Sequence, residues 1–289
     1  MAERDDLLLE WLNDDAGFFY RRGTLLDAGQ SAYQAYEVWQ TPQFGRLFRL
    51  DGCFMTSERD EFFYHENLIH VPAIAQAAPR RALVIGGGDG GSADELFKYP
   101  SMERVVLVEL DAKVVEIARA HFDAVHHGAL DDPRLELRVE DGLRYVREVA
   151  PASGERFDLI VLDLTDPVGP AEALYSPEFF RDCKALLAEG GALTLHIGAP
   201  VFQPERVRRL VDNLRAAFTR VSPYFLYIPL YGSLWGMASA SDTLEPAALS
   251  AAEVDARIAQ RGIGALRHYN GAVHCAQFAL PNYLRELLA

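Results

Sequence analysis

The apolar positions along the chain follow two different regimes. From Arg81 onward, short and nearly continuous apolar runs alternate with stretches of helical spacing. RALVIGGG (81–88) ends in glycines and leads into a helical stretch at Ser92–Lys98, and VVLVELD (105–111) is followed by the helix-like AKVVEIARAHF (112–122). LELRVED (135–141), FDLIVLDLTDP (157–167), a helix near Pro177–Ala188 and GALTLHIGAP (191–200) continue the alternation. Strands of this kind predict a parallel sheet covered on both faces. Before Arg81 the pattern changes. Ala35–Gln40 and Arg46–Leu50, rich in aromatic and β-branched residues around a Pro/Gly-bearing connection, predict a hairpin, and Phe18, Phe19 and Tyr20 begin another strand. Ser222–Asp242 is again β-rich and reads as antiparallel.

Composition narrows the classes. With 49% apolar and 24% charged residues in 289, the chain is neither disordered, collagen-like nor a small disulfide-stapled domain. Its 42 acidic against 28 basic residues leave a net charge of −14, which repels phosphate backbones and anionic lipid. Neither nucleic acid nor membrane is expected as a partner. Cys53, Cys183 and Cys275 lie far apart without a CxxC pair, which suits a reducing compartment and offers no zinc site. The opening MAERDDLLLE lacks the order of a signal peptide, and no apolar run reaches the roughly 18 residues of a membrane span, so a cytoplasmic location is expected. Residues 1–66 carry 13 Asp/Glu against 6 Lys/Arg, a net −7, and form the expected N-terminal β-strand domain. Residues 67–289 form the expected catalytic domain. The fold class is α/β, a Rossmann-like doubly wound sheet with a small N-terminal antiparallel β domain.

Gly86, Gly88 and Gly91 satisfy G-x-G-x-x-G directly after an apolar strand and before a helix, and Glu109 ends the next strand 21 residues beyond Gly88. Glycines there permit a tight turn and close approach of a ligand, and an acid at the second strand end suits a ribose. A glycine turn that merely packs helix on strand is the bland alternative. Asp89 stands where a dinucleotide's pyrophosphate would meet helix amides, and a carboxylate opposes phosphate there. The expected ligand is therefore an adenosine carrying a positive group such as a sulfonium, not NAD. Asp141-Gly142 follows the third strand and suits an adenine amino group or a plain turn. Asp163 and Asp166, flanked by Pro167 and Pro170 at the end of the fourth strand, could hold a cationic substrate and take its proton; an Asx turn is the bland alternative.

These motifs resemble those of the spermidine synthases, or polyamine aminopropyltransferases. The likeness runs from QSAYQ (30–34) through LDG (50–52), DEFFYHE (60–66), GGGDGG (86–91), VELD (108–111), EDG (140–142) and DLTDPVGPAEALYSPEFF (163–180) to PLY (229–231) and HYNGAVHCAQFALP (268–281). It implies the class I S-adenosylmethionine methyltransferase type of sheet. It also implies transfer of an aminopropyl group from decarboxylated S-adenosylmethionine, as donor co-substrate, to a diamine or polyamine, with release of methylthioadenosine. Putrescine is the default acceptor, and spermidine, cadaverine and agmatine stay open. By resemblance, Gln34 and Glu109 hold the donor's ribose side, Asp141 its adenine and Asp89 its ammonium, with His65 also on the donor side. Tyr64 and Asp163 orient the attacking nitrogen and remove its proton, while Asp166 and Tyr231 position the acceptor. The reaction needs no metal and no prosthetic group, since sulfonium is already a good leaving group. A homodimer or homotetramer, formed partly through the N-terminal β region, is implied as well.

The chain departs from the family pattern chiefly on the acceptor side. Leu164 replaces the usual Ser or Thr, His196-Ile197 replaces a polar stretch that typically includes Gln, Asp94 replaces a frequent Arg, and the Tyr231 segment is about one residue shorter. An S-adenosylmethionine-dependent methyltransferase and a non-catalytic paralogue that binds nucleoside or polyamine are the competing functions. His70, His121, His126, His127, His196, His268 and His274 show no ligand spacing. Trp11, Trp39 and Trp235 read as packing residues, Trp235 also as a wall of the amine site; Phe179 and Phe180 read as helix core and Glu116 as a solvated residue.

Overall fold

A computed structural model describes residues 6–167 and 169–289. The first five residues of the acidic opening lie outside it, as do the side chains of 169 and 170, including the Pro170 ring expected to brace the aspartates. Six strands come first: β1 (Leu7–Trp11), β2 (Gly17–Arg21), β3 (Thr24–Gln30), β4 (Ala35–Thr41), β5 (Gly45–Leu50) and β6 (Cys53–Ser57). β1 and β2 pair antiparallel, and β3-β4-β5-β6 form an antiparallel meander in which Tyr36 faces Leu50 and Thr41 faces Gly45. The predicted hairpin is present.

Helix α1 (Glu61–Ala75) then runs across position 66 into the larger unit. There β7 (Arg81–Gly86), α2 (Gly91–Phe97), β8 (Arg104–Glu109), α3 (Ala112–His121), β9 (Leu135–Val139), β10 (Phe157–Asp163), β11 (Leu187–Gly198), β12 (Arg220–Ile228) and β13 (Ser233–Ser241) supply one seven-stranded sheet and two of its helices. Its order is β12-β13-β11-β10-β7-β8-β9, parallel from β9 to β11 and antiparallel at β13 and β12. Both faces are buried, as the continuous apolar runs require. Val84, Leu107 and Val161 point to one side with Leu68, Ile69 and Ile74 of α1, whereas Leu83, Ile85, Val106 and Ile160 point to the other with Phe179, Phe180, Leu210 and Leu214. The strand order reverses between β7 and β10, where Gly86 lies opposite Asp163. Open α/β sheets bind ligands at such a reversal, beyond the carboxyl ends of the strands.

α1 carries no amphipathic period because it is buried almost all round. Its polar groups are matched from the C-terminal region instead. The buried Glu66 carboxylate accepts the backbone N–H groups of Arg267, His268 and Tyr269 at 2.6, 2.8 and 2.7 Å. Arg257 donates to the Ile74 and Ala75 carbonyls and Arg261 to those of Ala73 and Gln76, satisfying groups that a helix end leaves open. Glu66→Gln removes the charge and turns a donor toward N–H donors. It should destabilise the protein by about 2–4 kcal/mol in urea unfolding; a loss below about 0.5 kcal/mol would show that Glu66 is not this anchor.

Candidate active site

The site forms where β7 and β10 separate. After β7 the chain turns sharply: Gly86 has φ +80°, and a Cβ there would lie 2.1 Å from the Asp163 carbonyl. Gly87 N–H donates to that carbonyl at 2.8 Å, tying the glycine turn to the neighbouring strand end. The turn delivers Asp89 and α2, while α1 delivers Glu61, Tyr64 and His65 from the opposite side. Gly91 must be glycine because the His65 ring fills its side-chain position; a Cβ would sit 2.2 Å from His65 Cε1.

His65 is the hub. Its Nδ1 lies 2.9 Å from Glu61 Oε2, and its Nε2 lies 3.6 Å from Asp89 Oδ2 and 4.0 Å from Asp163 Oδ2. Burial disfavours the charged ring, but Asp89, the Glu61 hydrogen bond and Asp163 together outweigh it and push the pKa up to about 10. His65 is thus an imidazolium at neutral pH. The ligand atoms of His65, Asp89 and Asp163 lie within 4.8 Å of one another, a spacing that could hold a metal ion. A proton on His65 would serve the same carboxylates as counter-charge without an ion.

Asp163 receives a hydrogen bond from Ser92 Oγ at 2.7 Å and faces the Tyr64 hydroxyl. Burial raises its pKa, opposed by His65 and reinforced by Asp89, which gives its carboxylate an enhanced affinity for a proton. Burial, then Asp163, hold the Tyr64 phenol well above its ordinary pKa, so it stays a donor.

The other side of the site is built from strand ends. Glu109 accepts Gly88 N–H at 3.2 Å and Asp111 N–H at 2.9 Å, and burial pushes its pKa up to about 7 against those bonds. Gln34 crosses from the N-terminal sheet and donates to Asp111 Oδ2 at 3.1 Å. Asp141 is exposed and caps the following helical turn through Leu143 N–H at 2.8 Å, while Gly142 lets that turn approach Ile85.

Opposite lies an aromatic box. Tyr231 stands 6.0 Å from Tyr64 and 4.8 Å from Trp235 between ring centroids, and His196 stacks on Trp235 at 5.9 Å and lies 6.3 Å from Tyr64. Such walls suit an alkylammonium. The Tyr231 hydroxyl is engaged by the Met55 carbonyl at 2.9 Å, so its ring is what faces the box. Asp60 holds the segment in place by accepting Leu230 N–H at 2.7 Å. His196 Nε2 lies 3.0 Å from the Leu164 carbonyl and 2.8 Å from the Tyr175 hydroxyl, and burial lowers its pKa, leaving it neutral. Its Nδ1 and Trp235 Nε1 are buried without a hydrogen-bond partner among the described residues. Asp166 is paired with Arg206.

Comparison with known proteins decides the family. The model of the spermine/spermidine synthase domain matches residues 61–248. The chain belongs to the spermine/spermidine synthase family. Curated relatives in it include a polyamine aminopropyltransferase of Nitrosomonas europaea, 50% identical over 289 residues that cover all of this chain and 87% of the relative. Another is polyamine aminopropyltransferase 2 of Hyperthermus butylicus, 38% identical over 97% of this chain and 91% of the relative. A spermidine synthase solved in complex with the transition-state analogue AdoDATO superposes with a TM-score of 0.90 at 31% identity, covering 100% of this chain and 96% of that one. The spermidine synthase of Thermotoga maritima gives 0.87 at 30% identity, covering 100% and 95%.

Two expectations need correction, and several site residues were not foreseen. Trp11 is 65% exposed and packs no core, because it projects from the outer face of the β1–β2 hairpin. His196, expected with the other histidines to be a surface or satisfied core residue, is instead part of the aromatic box. Glu61, Ser92, Glu10 and Arg206 join the site unannounced. Glu61 was recoverable, since it precedes His65 by one helical turn; Glu10 and Arg206 arrive by tertiary packing without a local motif.

Because the folded pKa of His65 is about 10 against an ordinary 6.5, the folded state binds its proton more tightly. The resulting stability is complete below pH 6.5 and lost as pH rises toward about 10. In urea unfolding across that range, the stability gap between the wild type and His65→Gln should narrow steadily with rising pH. Parallel curves would contradict the buried imidazolium.

Proposed function

We propose that this chain transfers the aminopropyl group of decarboxylated S-adenosylmethionine to a polyamine acceptor, with putrescine as the default, and releases methylthioadenosine. The observation that carries this reading is the placement of Asp89 and Asp163 around His65 at the glycine turn, facing an aromatic box. Carboxylates there suit a cationic donor and a cationic acceptor. Polyamine aminopropyltransferases among the relatives support the same reading.

Glu109 and Gln34 take the ribose side of the donor, Asp141 with Gly142 lies along the adenine, and Gly86 and Gly88 let the nucleoside approach the backbone. Asp89 pairs with the donor's ammonium, and His65 holds Asp89 in place. Intact S-adenosylmethionine would bring its own carboxylate against Asp89, which disfavours the methyltransferase alternative. On the acceptor side, Tyr231 and Trp235 wall the alkyl chain and Asp166 receives its distal ammonium.

An alkylammonium loses its proton in water only near pH 10, so the site must first remove one. Desolvation between apolar walls lowers the amine's pKa, and the raised proton affinity of Asp163 makes it the acceptor of that proton. Tyr64 orients Asp163 and the nitrogen. The nitrogen lone pair then attacks the carbon beside the sulfonium, the carbon–sulfur bond breaks, and its electron pair returns to sulfur. Positive charge passes from sulfur to nitrogen, and much of the rate comes from alignment of nitrogen, carbon and sulfur. The complete set of Tyr64, Asp163 and Ser92 speaks for a working enzyme over a non-catalytic paralogue.

No helix among the described residues is long and apolar enough to cross a membrane. A cytoplasmic homodimer or homotetramer remains part of the proposal, supported by the exposed apolar Trp11, Phe19, Leu25 and Leu26 of the N-terminal strands.

Incubation with decarboxylated S-adenosylmethionine and putrescine should yield methylthioadenosine and spermidine by mass. Asp163→Asn should lose turnover by about 10²–10⁴-fold while donor binding survives. Wild-type turnover in that variant would show that another group takes the proton.

A further inference from the structure

The far end of the acceptor site contains a cation that the reaction does not require. Asp166 follows the end of β10, and its Oδ2 meets Arg206 Nη1 at 2.5 Å. Arg206 stands on the first turn of the helix Pro204–Arg215, so its anchor is separate from the segment that carries Asp166. The guanidinium is only 20% exposed and Asp166 37%. The arginine stem is held closely, since a Cβ on Gly198 would lie 3.4 Å from Arg206 Cδ. Asp166 and Arg206 exert opposing fields on the His196 ring, and the same two groups act on the Tyr175 hydroxyl. The pair therefore borders the aromatic box and is not a remote surface bridge. Glu10, which accepts Phe54 N–H, also feels the field of Asp166, which outweighs the opposing field of Arg49. Asp166 thus already faces a cation of the protein itself.

An incoming diamine brings a second ammonium to this end. We propose that Arg206 is a specificity-determining residue that competes with the acceptor's distal ammonium for Asp166, and so limits how strongly the site favours a diamine over a monoamine. This rests on the reading of Asp166 as the anchor of the distal ammonium. Binding of a diamine exchanges one ion pair for another, so the guanidinium must swing aside or share the carboxylate. A monoamine of the same length leaves the pair untouched. The chain would thus limit the affinity that its acidic crevice offers to multiply charged amines.

The test uses the affinities of putrescine and butylamine for the full-length protein, measured by calorimetry in the presence of methylthioadenosine. Arg206→Gln should raise the putrescine-to-butylamine affinity ratio by about three- to fivefold, the scale of a partly exposed ion pair. Arg206→Leu, which keeps an apolar stem over Gly198, should do the same and serves if the glutamine variant does not fold. Asp166→Asn alone should lower the ratio, and adding Arg206→Gln to it should change nothing further. A ratio that falls or stays within about twofold in both Arg206 variants, while Asp166→Asn lowers it, would overturn the proposal and make Arg206 a residue that positions Asp166. If Asp166→Asn leaves the ratio unchanged, the reading of Asp166 fails and this inference fails with it.

Discussion

A buried imidazolium surrounded by carboxylates is the constraint on which the site depends. His65 sits between Glu61, Asp89 and Asp163, with its ring pressed into the side-chain position of Gly91. Burying one charge is costly, and burying several of one sign is worse unless a counter-charge stands among them. The single proton on His65 lets Asp89 and Asp163 share one crevice as acids. It also links three elements that are distant in sequence: α1, the glycine turn after β7, and the end of β10.

That arrangement separates two tasks that both need negative charge. Asp89 lies on the side of the strand ends that carry Glu109 and Asp163 on the side of the aromatic box, with the hub between them. Ser92 gives Asp163 its own donor and the Tyr64 hydroxyl faces it, so it does not depend on His65 alone. Around this core, polar anchors fix the walls. Asp60 holds the Leu230 backbone and thereby Tyr231, and Glu66 holds the backbone of 267–269. The run DEFFYHE is therefore one stretch of chain carrying a wall anchor, a hub with its partner, a hydroxyl that faces Asp163 and a tether for the C-terminal region.

How much of this could be read from the sequence depends on how local each signal is. Gly86, Gly88, Asp89, Glu109 and Asp163 follow or end strands, and a strand end at a sheet's reversal is a ligand site by geometry alone. The parallel core was legible because its strands are continuous in apolar residues. α1 left no period to detect, since a helix buried on every side has none, and with it the Glu61–His65 pairing was missed. Glu10 and Arg206 come from β1 and from the helix Pro204–Arg215, and only the folded chain brings them near Asp166. Trp11 shows the converse: a large apolar side chain suggested core, while the outer face of a two-stranded hairpin left it in solvent.

Half of the net charge of −14 lies in residues 1–66, yet the proposed chemistry turns on a few acids whose positions are fixed by the hub. The most direct test of this account compares the equilibrium affinity of decarboxylated S-adenosylmethionine with that of the intact molecule, for the wild type and for Asp89→Asn. The account predicts that the wild type prefers the decarboxylated donor by at least about tenfold, and that the preference collapses when Asp89 loses its charge, since a like-charge contact in a confined site costs about that much or more. An equal or stronger affinity of the wild type for the intact molecule, or a preference that survives Asp89→Asn, would contradict it.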